Sequence, residues 1–263
     1  MIDTVTEEQR KSWLPMRALA RGADPGALPV FCLPHAGGSA SAYRPWLGKV
    51  PGAALLPVQP PGRETRLRDE TFTEMGALVE ELAPIVVDEA AGGPYAVYGH
   101  SLGALVAFEL VRRIRALGAP EPVHLFLSGC VAPSHCAQDG PKVLGMSEDQ
   151  VVDMLRKLGG TPEWLLADPG TRAMIMPAVR ADFSVKETYV HRDEPPLSTP
   201  ITVLASTADP RAEHALQDGW RAHTTGGFEL HTMVGGHFAV FEQATLTHKY
   251  LLEGLRPWLG TAA

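Results

Sequence analysis

Long apolar runs are missing from this 263-residue chain, so no segment is expected to span a bilayer as a helix. The opening MIDTVTEEQRKSWL carries acids and no apolar stretch, so no secretory signal peptide is expected. Basic runs are absent too. With 23 Lys and Arg against 30 Asp and Glu, the net charge of −7 argues against nucleic-acid binding. Cysteine is scarce, and Cys32, Cys130 and Cys136 are an odd number without metal-ligand spacing. Cys130 and Cys136 could be bridged only by a fold that brought them together; thiols in a reducing cytoplasm are the expectation. No internal repeat or low-complexity tract is visible. What remains is an ordinary composition, 45% apolar and 20% charged, which excludes disorder and suits one sizeable core, with or without an insertion.

The first 25 or so residues, polar and Gly/Pro-rich, read as an irregular arm. Short apolar runs follow at 29–33, 54–58, 95–99, 123–129, 201–206 and 228–233, most of them continuous, as strands covered on both faces should be. Helical patterns lie between them near 40–50, 73–90, 101–117, 211–223 and 241–259. In 73–90, Met75, Leu78, Val79, Leu82, Ile85 and Val86 form one apolar face, and Pro84 predicts a kink. Strand and helix in alternation predict an α/β fold, a mostly parallel central sheet with helices on both faces.

From 131 to 196 the alternation stops and only helical signals appear. Ser147 and Gln150 make a capping box before Val151, Met154, Leu155 and Leu158. Thr161-Pro162 and Asp168-Pro169 each place a capping residue before a proline at the first helical position. The expectation is a core formed by 1–130 and 197–263, with 131–196 as a helical lid over the ligand crevice at the strand C-termini.

Gly99-His100-Ser101-Leu102-Gly103 follows a strand pattern and opens an apolar helix. Strand, G-x-S-x-G, helix is the setting of a nucleophile elbow, in which a strained turn exposes the serine at a helix N-terminus. Chance occurrence among 26 glycines is the competing reading, and the flanking strand and helix weigh against it. Ser101 is the candidate nucleophile. A serine hydroxyl needs a base, and the base an orienting carboxylate, in the chain order Ser, acid, His. Asp209 follows the run 201–206 and His237 follows 228–233, at spacings that admit both the insertion and one further helix and strand. Asp209 could instead cap the next helix, and Asp182, Asp193 and Asp218 compete for its place. His223 and His231 lie inside predicted elements and read as ordinary residues.

Leu33-Pro34-His35-Ala36-Gly37-Gly38 follows the first strand, where a glycine-rich loop supplies one oxyanion donor; the other is the amide after the nucleophile. The candidate donors are the backbone N–H groups of Ala36 and Leu102, although Gly37-Gly38 could be only a turn. His35 and Gly37, with Met146 and Met154 in the insertion, are candidate substrate contacts; for the methionines ordinary packing competes. Arg63-Glu64 reads either as a substrate-binding pair or as a surface ion pair on a turn. Arg112, Arg113 and Arg115 could dock an acidic partner or simply complement a helix dipole.

Six motifs in order now resemble one family: Pro34-His35-Ala36-Gly37-Gly38, Gln59-Pro60-Pro61-Gly62-Arg63-Glu64, Gly99-His100-Ser101-Leu102-Gly103, Leu158-Gly159-Gly160-Thr161-Pro162, Arg180-Ala181-Asp182-Phe183 and Gly235-Gly236-His237-Phe238. They are similar to those of the discrete type II thioesterases of polyketide and nonribosomal peptide assembly lines. One departure is Ser206-Thr207-Ala208 before Asp209, where the family usually has glycine and an acid. The resemblance implies an α/β-hydrolase core with a helical lid. It also implies hydrolysis of acyl groups stalled on the phosphopantetheine arm of an acyl or peptidyl carrier protein, with no metal or bound cofactor. With no carrier-like segment before Met1, a discrete enzyme is expected. A serine carboxylesterase or lipase, a chain-releasing cyclising thioesterase, and a catalytically silent interaction module are the alternatives.

Overall fold

The computed structural model describes residues 4–22, 24, 26–138 and 142–259. Its strands are β1 (Leu28–Leu33), β2 (Ala53–Pro57), β3 (Ala96–His100), β4 (His124–Ser128), β5 (Ile201–Ser206) and β6 (Phe228–Met233), each within two residues of an expected run. They form one sheet in the order β2-β1-β3-β4-β5-β6, and every pairing is parallel. β1 to β5 are buried from end to end, which is why they read as unbroken apolar runs. Of the two edge strands, β2 is buried, whereas β6 is half-exposed and its sequence FELHTM alternates accordingly.

The helices are α1 (Glu7–Trp13), α2 (Arg17–Arg21), α3 (Met75–Ala90), α4 (Leu102–Ala116), α5 (Glu148–Leu158), α6 (Glu163–Ala167), α7 (Pro169–Glu187), α8 (His214–Gln217), α9 (Ala239–Glu242) and α10 (Ala244–Leu255). Alternate strand residues feed two cores, because successive side chains point to opposite faces. Phe31 and Leu33 of β1 join Val97 and the inner faces of α3 and α4. Val30 and Cys32 join Tyr98, Phe126, Trp46 and the inner face of α10. The six apolar positions expected on α3 are all buried there, and the helix runs on through Pro84.

Several expectations change. The opening segment is no irregular arm: Thr6 and Gln9 form a capping box that starts α1. This helix buries Trp13, which stacks on Phe72 at 6.3 Å and lies 4.4 Å beneath the Arg66 guanidinium. Burying such a tryptophan is worth about 3–5 kcal/mol, enough to hold a short helix on the core. The pattern near 40–50 is a 3-10 helix, Ala40–Trp46, with Pro45 inside it. That near 211–223 splits into α8 and the 3-10 helix Asp218–His223. Thr161 caps nothing, since α6 starts at Glu163 with Pro162 as its N-cap. Asp168 does cap α7, accepting from the Thr171 amide at 2.7 Å ahead of Pro169.

Between residues 131 and 196 no strand occurs among the described residues. Helices α5, α6 and α7 gather an apolar cluster of their own around Val151, Leu155, Leu166, Met176, Val179 and Phe183. No disulfide forms among the described residues; Cys32, Cys130 and Cys136 are thiols. Nor is any described helix long and apolar enough to cross a membrane.

Candidate active site

Both glycines of the elbow are required by backbone contact. A Cβ on Gly99 would lie 2.1 Å from the Gly103 carbonyl oxygen, and one on Gly103 would lie 2.2 Å from that of Leu33. The chain can turn this sharply from β3 into α4 only if neither position carries a side chain. Between them Ser101 sits at φ 57° and ψ −118°, a conformation that costs a non-glycine residue energy. Its N–H donates to the Ser128 carbonyl at 2.8 Å, continuing the β3–β4 ladder one residue into the turn. Leu102 is the first residue of α4, so its N–H belongs to the helix-end donors without an intrahelical acceptor.

The loops after β5 and β6 bring Asp209 and His237 together. The His237 Nδ1–H donates to Asp209 Oδ2 at 2.7 Å, and both side chains are closed off from solvent. The other carboxylate oxygen, Oδ1, accepts from the amides of Arg211 at 2.8 Å and Ala212 at 3.2 Å. One oxygen of Asp209 therefore faces His237 and the other caps the turn at Arg211 and Ala212, so the geometry has room for both readings. The rival acids are engaged elsewhere: Asp182 with Arg63, Asp218 with Arg221. Asp193 is solvent-exposed. His231 stacks on Tyr250 at 4.0 Å, and His223 packs against Phe108 and Trp220.

A narrow, nearly closed cleft lies over this group, lined by Ser101, His237, His35, Ala36, Leu158 and Phe183 among others. Nε2 of His237 is buried and makes no hydrogen bond among the described residues, so the bond to Ser101 Oγ is not formed at rest. Such contacts commonly tighten only when substrate arrives. Leu155, Gly159, Thr161, Arg211 and Phe238 also line the cleft. Most belong to stretches that matched the family motifs without suggesting a role. Gly160 illustrates the packing, for a Cβ there would strike the Phe238 ring at 2.2 Å.

Of the expected substrate contacts, only His35 faces the cleft. Met146 and Met154 line an adjoining open groove, joined to it through Leu158 and Arg211. Gly37 is turned away: at φ 74° it donates its N–H to Asp182 Oδ2 at 2.7 Å. Arg63 is not an exposed ion-pair member and does not line this cleft, but with Asp182 it borders a second, largely apolar cavity beside His35 and Leu102. It is buried and forms a two-pronged pair with Asp182 of α7, while Glu64 accepts from the Ser39 hydroxyl at 2.7 Å. The arginines of α4 are consumed in ion pairs, Arg112 with Glu109 and Glu194, Arg113 with Glu80, and Arg115 with Glu194.

His100 and His35 complete an imidazole cluster, their ring centroids 6.0 Å apart and that of His100 4.9 Å from His237. Burial, and then the charges of His237 and Arg63, push His35 down to about 3. Burial also holds His100 well below the ordinary value of 6.5, and burial alone brings His124 on β4 to about 4. Between these folded values and 6.5 the unfolded chain binds more protons than the folded one. Stability is therefore complete above about pH 6.5 and is lost as pH falls, at up to about 1.4 kcal/mol per pH unit for each histidine. The melting temperature should fall progressively from pH 7 to 5. His124→Gln, remote from the cleft, should flatten that fall, which thermal unfolding across the pH series checks; an unchanged slope would remove His124 from the account.

A family model described as a thioesterase domain matches residues 28–251. The chain is 35% identical over 235 residues to the gramicidin S biosynthesis protein GrsT of Aneurinibacillus migulanus, covering 87% of this chain and 89% of that protein. Among solved structures it is similar to RedJ, a thioesterase from the prodiginine biosynthetic pathway in Streptomyces coelicolor. There the TM-score is 0.81 at 33% identity, over 88% of this chain and 92% of that one. BorB, the type II thioesterase from the borrelidin biosynthetic cluster, gives a TM-score of 0.80 at 37% identity, over 88% and 94%.

Proposed function

The chain belongs to the thioesterase family, whose members hydrolyse thioesters on this α/β-hydrolase fold, and we propose that it does so through Ser101, His237 and Asp209. The observation that carries this reading is the Asp209–His237 hydrogen bond of 2.7 Å beside a serine held at φ 57° on the elbow. In the acylation step His237 Nε2 takes the proton of Ser101 Oγ as the oxygen attacks the thioester carbonyl. Asp209 keeps Nδ1 protonated and stabilises the imidazolium. The backbone amides of Ala36 and Leu102 hold the oxyanion. Collapse of the tetrahedral intermediate expels the sulfur, which takes the proton from His237 and leaves as a thiol. With a thiol pKa of about 8.5, this leaving group needs less help than an alcohol or amine. His237 then activates water, the acid departs, and Ser101 is regenerated.

The substrate class is an acyl group on the phosphopantetheine arm of an acyl or peptidyl carrier protein, and the role is type II editing. Supporting it are the six sequence motifs, the biosynthetic pathways in the names of GrsT, RedJ and BorB, and the description of BorB as a type II thioesterase. Residues 131–196 act as the lid in this reading, with Leu158 and Phe183 as its cleft-facing side. The groove beside Met146 and Met154 is the path for the arm. The unbridged thiols fit a reducing cytoplasm. To test it, one acyl group is presented both on a carrier thiol and as a small oxygen ester. The carrier thioester should be cleaved about tenfold faster or more, the arm and carrier supplying the extra binding energy. Untouched carriers beside rapid ester hydrolysis would make the protein a carboxylesterase, and a macrocyclic product would make it a chain-releasing enzyme.

A further inference from the structure

We propose that Arg63 and Asp182 are positioning residues for catalysis, an ion pair that fixes the loop carrying the Ala36 oxyanion donor. The proposal rests on Ala36 supplying that donor. The loop leaves β1 at Pro34 and turns back through a Gly38 N–H to His35 carbonyl hydrogen bond of 2.9 Å. Immediately after Ala36 it is gripped twice. The Gly37 N–H donates to Asp182 Oδ2 at 2.7 Å, and the Arg63 Nη1 donates to the Gly38 carbonyl at 3.0 Å. Arg63 is itself held, with both terminal nitrogens on the Asp182 carboxylate and its Nε–H on the Pro61 carbonyl at 3.1 Å. Gln59 closes the frame, its Nε2 donating to the Arg63 carbonyl at 3.3 Å and its Oε1 accepting from the Ala40 N–H at 3.1 Å.

The peptide whose N–H is Gly37's begins at Ala36, so anchoring it sets the dihedrals that aim the Ala36 amide. Oxyanion donors work only when they lie about 2.7–3.1 Å from the position the oxyanion takes, and misplacement by about 1 Å can cost about 10²-fold. The alternative role, stability, is poorly served by this pair. Its side chains are only 8% and 11% exposed, and burying two charges offsets most of their attraction; an apolar pair of equal volume would hold the fold as well. What an apolar pair could not supply is the acceptor for Gly37 and the donor for Gly38. Asp182 also stands next to Phe183, which lines the cleft, so the pair ties the inserted helix α7 to the loop facing it.

Asp182→Asn removes the charge, and Arg63→Lys keeps the charge but loses the fork. Both are compared with the parent by steady-state kinetics on an acylated carrier, with folded fractions set by thermal unfolding. The expected result is kcat lower by about 10- to 100-fold and KM within about threefold. Binding of a trifluoromethyl ketone analogue of acyl-pantetheine, which forms an oxyanion on Ser101, should weaken by the same factor. Binding of the matching thioether, which forms none, should be unchanged. Equal losses for ketone and thioether, full potency of the ketone in folded variants, or unfolding of both variants at 25 °C would each overturn the proposal. Failure of the parent itself to bind the ketone in a Ser101-dependent way would overturn the oxyanion assignment instead, which keeps the two failures apart.

Discussion

Ser101→Ala should leave the protein folded and reduce hydrolysis of an acylated carrier by about 10⁴-fold or more, the loss seen when a triad nucleophile is removed. The fold should survive because what holds residue 101 is backbone. Its N–H bonds to the Ser128 carbonyl, the glycines on either side make the turn, and φ 57° strains alanine about as much as serine. Intact-mass spectrometry of acyl-loaded carrier, with parent and variant side by side, reads the result directly. The parent removes the acyl mass; the variant leaves it in place over the same hours, and its melting temperature stays within a few degrees of the parent's. Turnover within tenfold of the parent would disprove the acyl-enzyme mechanism and make this a fold whose serine is incidental.

The elbow was legible in the sequence because its requirements are local. A strand, two glycines, a serine and an apolar helix lie within about twenty residues; the contact that needs Gly99 is with Gly103 itself, although the one that needs Gly103 comes from Leu33 on β1. The meeting of Asp209 and His237 could be foreseen because parallel strands deliver their C-terminal loops to one edge of the sheet, so chain order alone predicts proximity. Arg63 shows where such reading stops. It sits in a Pro/Gly-rich turn, which looks like surface, and its partner Asp182 is 119 residues further along the chain. No periodicity or local motif joins the two. Gly37 depends on the same distant partner: offered from the sequence as a substrate contact, it gives its amide to that carboxylate. The opening segment is a different case. Thr6 and Gln9 are a capping box in plain view, but the stretch from Thr6 to Ser12 is polar, and it is the packing of Trp13 and Leu14, with Val5 beside them, that gives the helix a place to dock.

Asp209→Asn should cost almost as much as losing the nucleophile, about 10⁴-fold in kcat, although it changes a single atom. The reason lies in how the two carboxylate oxygens are divided. Oδ1 accepts from two backbone amides, Arg211 and Ala212, and only an acceptor can stay there. The asparagine must therefore keep its oxygen on that side and turn its NH₂ toward His237 Nδ1, where the parent offers Oδ2 at 2.7 Å. A donor at that position forces His237 to present a lone pair at Nδ1 and to carry its proton on Nε2. Ser101 then faces an N–H instead of a base, so its proton has no acceptor. The fold should change little, because the cap at Arg211 and Ala212 is retained. Proton NMR separates this account from a general loosening of the site. The parent should show a downfield Nδ1 proton assigned to His237, and the variant should lack it while keeping a well-dispersed amide spectrum. Activity within tenfold of the parent, or a persisting Nδ1 proton, would mean that His237 takes its orientation from something other than Asp209.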